Sequence, residues 1–520
     1  MDPKFKPIDP ESWASVIPEF EKQTNAFYNG ELSKKDYKGF SGKYGSYAQR
    51  DGKANMFRLR MSGGRITPEK LAFVMEQVNN HHINKIHFTT CQALQLHNVP
   101  PQDVYEIMKD ALSVNIVSYG GGGDYPRNVM CSPLAGTEKD EYFDVMPYAL
   151  ATAEFLMHFI ETPKMPRKLK VAFSGSEKDM PHATFRDLGF QANSDGTFDV
   201  YAAGGLGNVP KLGTKVAEHI DPKDIFYYVV AMIDTFKKHG NYDNRSKART
   251  RFMVDAVGGP EAFVKAYNEE LERVKKEYDL TIDELPETST EKVGDGSAIE
   301  ESWQVKEQKQ PGLYTVLYHP QGGSPELETF DRLGAAVLNM HGVELRLSPD
   351  EGVYIINLTG DEAREVLDII STDAATNAFE ASIGCIGSSI CQVGLRDSQA
   401  LLADVLKAAR EAGVTAYLPQ LHISGCPSSC GTHQVGTIGF RGGIKMVDKK
   451  PLPAFNLFLY GTDKLGEERL GTDMGAIAID KIPEFIVKLG NTVKDSGLGW
   501  DEWFAANPDG IKEVAAEYLA

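Results

Sequence analysis

The chain has 520 residues, 42% hydrophobic and 25% charged, an ordinary globular composition with room for about three or four domains. Its 55 basic and 73 acidic residues leave a formal charge of −18, which excludes a sequence-independent grip on nucleic acid or anionic lipid, so an anionic substrate must meet a locally basic pocket. No apolar run approaches the roughly 18–20 residues that span a bilayer, and MDPKFKPIDPESW lacks the basic-then-apolar order of a secretory signal, so a cytoplasmic protein with no membrane partner is expected.

Residues 1–43 read as a polar, helical extension. From MFRLRMSGG (56–64) apolar residues alternate as in a strand and stop at paired glycines; a helix (TPEKLAFVMEQVNNHH), two strands (KIHFTT, ALQLHNV) and a second helix (QDVYEIMKDAL) follow. The same order returns in LYTVLYHPQGG, LETFDRLGAAVLNMHG, VELRLSP, GVYIINLTG and DEAREVLDIIS, which predicts a duplicated α+β unit. The expected division is 1–43 extension, 44–117 first unit, 118–280 first larger lobe, 281–307 acidic linker, 308–375 second unit and 376–520 second lobe.

Six cysteines are too few for a disulfide scaffold at this length, and four of them fall between 385 and 430. Cys385 and Cys391 form C-x5-C in ASIGCIGSSICQVG; Cys426 and Cys430 form C-x3-C in HISGCPSSCG. Two clustered pairs of thiolates suit either zinc or a [4Fe-4S] cluster. The wide, glycine- and serine-rich loops favour the bulkier cluster, because small residues leave backbone N–H groups free to bond its sulfurs.

These motifs resemble the ferredoxin-dependent nitrite and sulfite reductases, and the resemblance extends over roughly residues 44–500 through KYGSYAQRDGKANMFRLRMSGG, DYPRNVMCSPLAG, MPRKLKV and VYAAGGLGNVPKLG. It implies a pseudo-twofold α+β fold, with two ferredoxin-like half-domains and two larger α/β lobes that hold siroheme and a [4Fe-4S] cluster. It assigns Cys385, Cys391, Cys426 and Cys430 as cluster ligands, with Cys430 the bridge to siroheme, and Arg127, Lys168 and Lys170 as the residues around the substrate. Lys168 and Lys170, two apart on a predicted strand, share a face and can hold an anion and deliver protons. The many siroheme carboxylates need cations, for which Arg58, Arg60, Arg127 and Arg167 are the candidates; Arg249, in NRSKARTRF, reads instead as a solvated helix face.

The implied reaction is a six-electron reduction. Sulfite is the expected substrate, because the nitrite-selective members carry asparagine where Lys170 stands; nitrite is the alternative, and a non-catalytic siroheme relay or sensor a further one. Electrons are expected from ferredoxin, with Lys34, Lys35 and Lys38, or Lys449 and Lys450, as candidate basic patches. Two departures stand out: Ser428 replaces an asparagine between the second cysteines, and Cys91 stands where the family has an arginine. A unit charge at about 4 Å contributes on the order of 4 kcal/mol at an effective dielectric of about 20, so that missing cation requires either compensation or a different substrate. Cys91 itself reads as an inert buried thiol, with a nucleophile or ligand as the alternative, and Cys131 as a structural thiol. His87 and His97 read as satisfied core or rim histidines. GGGGDYP and GGLGNVPKLG lack the GxGxxG order of a dinucleotide loop, and no bound NAD or flavin is expected.

Overall fold

The computed structural model describes residues 6–519, the Val447 side chain excepted. Helices α1 (Ile17–Tyr28) and α2 (Lys34–Ser41) lead into the first repeat unit, and Phe20 and Tyr37 are fully buried beneath them, so the extension is built onto the core. The unit contains β1 (Ser46–Ala48), β2 (Asn55–Leu59), β3 (Arg65–Ile66), α3 (Pro68–Asn80), β4 (Lys85–Phe88), β5 (Leu94–Val99) and α4 (Pro101–Asp110). Helix α3 starts where the Thr67 side chain accepts from the Lys70 N–H and Pro68 presets the first turn; Leu71, Val74 and Val78 then fall on one buried face.

The first lobe follows with β6 (Met130–Cys131), α5 (Met146–Met157), β7 (Val171–Ser174), β8 (Leu188–Ala192), β9 (Phe198–Ala202), β10 (Thr214–Ile220), α6 (Ile225–His239), α7 (Met253–Ala256) and α8 (Pro260–Glu277). The second unit contains β11 (Val305–Glu307), β12 (Tyr314–Tyr318), α9 (Leu327–Leu338), β13 (Glu344–Leu347), β14 (Val353–Leu358) and α10 (Gly360–Ile370). The second lobe contains β15 (Ile383–Gly384), α11 (Ser398–Glu411), β16 (Leu421–Ser424), β17 (Ile438–Val447), β18 (Lys450–Leu459), β19 (Thr472–Ala478), α12 (Ile482–Asp495), α13 (Trp500–Ala506) and α14 (Gly510–Leu519).

The duplication is explicit in the sheets. The units are ordered β1-β2-β5-β4 and β11-β12-β14-β13, and β3 of the first unit adds itself to the edge of the second. The lobes are ordered β10-β9-β8-β7-β6 and β15-β16-β17-β18-β19, each with its three leading strands parallel and the rest antiparallel. The two half-domains share one hydrophobic core, whereas each lobe has its own.

Residues 281–307 depart from the linker expectation at both ends. Ile282 is buried in the first lobe's core, and Val305–Glu307 is strand β11, paired with β12. Between them the chain runs extended across the second unit, where Lys292 bonds Glu362 at 2.6 Å. A three-residue edge strand is too short for alternation to reveal.

The paired glycines explain how the units dock. Gly63 and Gly64 (φ +62° and +73°) and Gly322 and Gly323 (φ +56° and +69°) take left-handed conformations that disfavour side chains. A Cβ on Gly64 would lie 2.8 Å from the Leu347 carbonyl oxygen at the end of β13, and one on Gly323 would lie 2.8 Å from that of Phe88 at the end of β4. Each turn therefore presses on the matching strand end of the other unit. A related constraint recurs in the lobes: a Cβ on Gly189 would meet the Ala183 carbonyl oxygen at 1.8 Å, and one on Gly439 that of His433 at 1.9 Å. Gly439→Ala is accordingly expected to cost about 1–3 kcal/mol of stability, read as a lowered calorimetric transition of the second lobe.

Candidate active site

A cavity of about 560 Å³ is lined by residues of both units and both lobes, within the range of small-molecule and cofactor sites. Its wall carries nine cationic side chains against two carboxylates, Asp187 and Glu351, which reverses the overall charge of −18 and supplies the locally basic pocket that an anion requires. All four clustered cysteines line it, as do Arg58, Arg60, Arg127, Arg167, Lys168 and Lys170.

The thiols come from the second lobe. Cys385 directly follows β15, Cys426 and Cys430 lie in the turn after β16, and Cys391 is on the loop between β15 and α11. The Gly425 N–H donates to Cys385 Sγ at 3.2 Å. The first unit braces these loops: the Arg50 guanidinium donates to the carbonyls of Cys391 (3.0 Å) and Gly394 (2.6 Å), and the Thr90 hydroxyl to that of Cys430 (2.8 Å). All four cysteines are free of disulfides, and Cys430 opens to the cavity while protein encloses it. Burial pushes the Cys385 thiol up to about 12, with the neighbouring Cys430 adding to it.

The spread of the sulfurs tests which group they fit. A tetrahedral zinc with Zn–S of about 2.3 Å would hold its sulfurs about 3.8 Å apart. Among the described residues, only His81, Asp103 and Glu106 gather three ligand atoms within 4.8 Å of one another, so the four thiols stand more widely than around a single ion. Four thiols that line one cavity at wider spacing, one of them accepting from the Gly425 N–H, fit a cluster, and the adjoining cation-lined volume fits a polycarboxylate macrocycle.

The pseudo-twofold explains why only one lobe has this chemistry. In register, Cys131 pairs with Phe173 and Gly384 with Ile423, which makes Ser132 the counterpart of Cys385. Ser132 Oγ accepts from the Gly175 N–H at 2.9 Å as Cys385 Sγ accepts from Gly425. Counting from Ser174 and Ser424, Ser176 likewise corresponds to Cys426.

The cations come from the first unit and lobe. Gly121 O accepts from both Arg58 (2.8 Å) and Arg127 (3.0 Å), and Arg60 donates to the carbonyls of Tyr119 and Pro126, each at 3.2 Å. The glycine-rich stretch 120–123 thus positions arginines through its carbonyls; its tightness is such that a Cβ on Gly122 would meet Gly42 O at 2.1 Å. Arg167 is paired with Asp124 at 2.5 Å. Strand β7 begins only at Val171, but Leu169 bridges Pro126 and is buried in the lobe core, so the alternation persists and Lys168 and Lys170 both reach the cavity. Burial lowers the pKa of Lys168, of Lys170 and of Arg60, the last to about 9, and adjacent cations lower them further; an entering anion would reverse both effects.

Two expectations are corrected. Arg249 is no solvated helix face: it precedes a short turn, lines the cavity and donates to both oxygens of the fully buried Asp187 at 3.1 Å. Asp187 also accepts from the Lys170 backbone N–H at 2.9 Å and from the Thr250 hydroxyl, so one carboxylate fixes both cation-bearing segments. Cys91 is not inert packing either. It is half-buried on the cavity wall with Sγ 3.0 Å from Lys170 Nζ. Burial alone would raise its thiol, but Lys170, Arg186 and Lys168 outweigh that and bring it down to about 6. His87 and His97 are buried and bonded to Ser324 and Gln95, and Cys131 is fully buried. Sequence reading missed Arg186 and Glu351, neither of which belongs to a recognisable motif.

Comparison with known proteins decides the assignment. Residues 47–114 match the nitrite/sulfite reductase ferredoxin-like half domain, and residues 122–275 match the nitrite and sulphite reductase 4Fe-4S domain. The chain belongs to the nitrite and sulfite reductase family. Members of this oxidoreductase family that it resembles include the chloroplastic ferredoxin–nitrite reductase of Spinacia oleracea, 24% identical over 80% of this chain and 70% of the relative. The ferredoxin–nitrite reductase of Synechococcus elongatus is 26% identical over 84% and 85%. A ferredoxin sulfite reductase of Mycolicibacterium paratuberculosis is 27% identical over 72% and 67%. The structure of the Mycobacterium tuberculosis NirA protein superposes with a TM-score of 0.77 at 21% identity, covering 96% of this chain and 97% of that one, which establishes the shared fold. The 4Fe-4S domain match falls on the lobe that carries Ser132 and Ser176, the copy without the clustered thiols. Membership in the family implies siroheme and a [4Fe-4S] cluster as cofactors. No helix among the described residues is long and apolar enough to cross a membrane.

Proposed function

We propose that the chain catalyses the six-electron reduction of sulfite to sulfide; Cys385, Cys391, Cys426 and Cys430 would hold the [4Fe-4S] cluster, and Cys430 would be the ligand that links it to siroheme. The observation that carries this reading is the joint lining of one cavity by the thiols of one lobe and by Lys168, Lys170 and Arg127 of the other half. Arg58, Arg60 and Arg167 are the residues that would meet siroheme carboxylates. When bound, the cofactors would supply electrons one at a time. The chain's own part is electrostatic and protic. Lys168, Lys170 and Arg127 hold the anion in a site where burial strengthens each contact. Burial and adjacent cations favour proton loss from both lysines in the empty site, an anion favours their ammonium forms, and each ammonium can then pass its proton to a departing oxygen, which leaves as water after taking two protons.

Nitrite reduction to ammonium is the second reading. It is favoured by the nitrite reductases among the relatives and by the contact of Lys170 with Cys91, which offsets part of the charge available to a dianion. The two are separated by kcat/KM for each anion on protein loaded with both cofactors. A preference of more than about tenfold for sulfite is expected; a reversed ratio assigns nitrite, and turnover of neither points to the relay or sensor reading.

Ferredoxin is the proposed donor, as it is for the named relatives. The surface beside the Cys391 loop suits it: Lys34 is anchored on the Arg50 carbonyl at 3.0 Å, Lys38 borders the cavity, and Val393 and Leu395 are exposed. Lys449 and Lys450 sit instead at the tip of the β17–β18 hairpin. Lys34→Glu with Lys35→Glu is expected to raise the KM for ferredoxin severalfold, in a salt-dependent manner, while leaving turnover with a small-molecule reductant unchanged.

A further inference from the structure

Arg186 lies between the turn Ala183–Phe185 and β8, is nearly fully buried, and lines the cavity wall that also carries Cys91 and Lys170. Its orientation is imposed from behind. Nε donates to the Pro181 carbonyl at 2.9 Å, and Nη2 meets His182 Nδ1 at 3.2 Å. A guanidinium can only donate, so Nδ1 is the acceptor and the neutral imidazole carries its proton on Nε2. That nitrogen lies 2.8 Å from Asp463 Oδ2, which belongs to the other lobe, and the ring stacks on Phe185 at 4.6 Å. An Asp463–His182 pair therefore holds one side of the guanidinium, while Nη1 has no hydrogen bond among the described residues. Asn128, whose amide nitrogen is held by the Cys91 and Gln92 carbonyls, leaves its Oδ1 without a partner on the same wall.

The charges around Cys91 give this arrangement its meaning. Lys170 is bonded to the Cys91 sulfur, and a thiolate there cancels one positive charge of the pocket. Arg186 acts on both partners, stabilising the Cys91 thiolate and disfavouring a second ammonium at Lys170. We propose that Arg186 is a further substrate-binding residue of the anion pocket, that the Asp463–His182 pair positions it, and that it replaces the cation whose place Cys91 occupies. The proposal rests on the reading of the cavity as the site of an oxyanion. A guanidinium presents a planar fork of donors, which suits two oxygens of one small anion.

The test uses holoenzyme with Arg186→Gln, Arg186→Lys and His182→Gln, alongside Lys170→Met. Sulfite and nitrite dissociation constants are measured by calorimetry and compared with KM and kcat; the pH midpoint of Cys91 alkylation by iodoacetamide is followed by peptide mass spectrometry. Arg186→Gln is expected to weaken binding of the reduced anion by about 10- to 100-fold, acting on KM more than on kcat. Arg186→Lys is expected to recover part of that loss, and His182→Gln to give an intermediate one. The alkylation midpoint, expected near 6 in the parent protein, should rise in Arg186→Gln. Unchanged anion binding in Arg186→Gln, with Lys170→Met impaired, would overturn the assignment and leave the proposed function standing. If the parent holoenzyme binds neither anion, the proposed function fails, and the substrate role of Arg186 with it. Should Arg186→Gln fail to fold, the lysine and His182 variants decide by the same readings.

Discussion

Cys426→Ser is expected to abolish anion reduction, with the loss exceeding the roughly 100-fold that changes in the outer shell of a metal site produce. Iron and acid-labile sulfide content and the visible spectrum should fall together with activity. The chain itself contains the argument that this variant folds: the matching turn of the first lobe is already closed with serine, Ser176 in place of Cys426 and Ser132 in place of Cys385. Its Tm, measured without cofactors, should therefore stay close to that of the parent. Retained cluster and activity would remove Cys426 from the ligand set. A folded protein lacking the cluster would support the set and distinguish ligand loss from misfolding.

Lys170→Met is expected to lower kcat by about 10²- to 10⁴-fold, the range of a positioned proton donor, while the volume of the side chain is kept. The substitution also removes the ammonium 3.0 Å from Cys91 Sγ. Burial then acts on the thiol with less opposition, so the Cys91 alkylation midpoint should move upward from about 6. The sign is fixed by linkage: a cation stabilises the thiolate, and removing it shifts the proton back onto sulfur. A kcat loss with an unmoved thiol midpoint would separate catalysis from the Cys91 contact. An unchanged kcat would dismiss Lys170 as a proton donor.

The duplicated fold was legible because each unit repeats its own local signals. Alternating strands end at Gly-Gly, and helices start at Thr67-Pro68 and at the Thr359–Glu362 capping box; these signals depend on residues within a few positions of one another. The four cysteines were legible for the same reason, since each pair lies within one loop. Lys168 and Lys170 kept their shared face even though the strand starts after them, because Leu169 still anchors the alternation in the core.

What local patterns could not contain is contact between distant segments. That β3 leaves its own unit for the edge of β13, that Arg249 turns inward onto Asp187, and that the His182 beside Arg186 is held by Asp463 across 281 positions of chain all follow from packing. Cys91 shows the distinction most directly. The sequence alone determined that a thiol stands in a strand-linking turn where the family resemblance leads one to expect a cation. Only the tertiary structure decided that this turn faces Lys170, Lys168 and Arg186, and a thiol's proton affinity depends on the charges around it, which the fold brings together from separate parts of the chain.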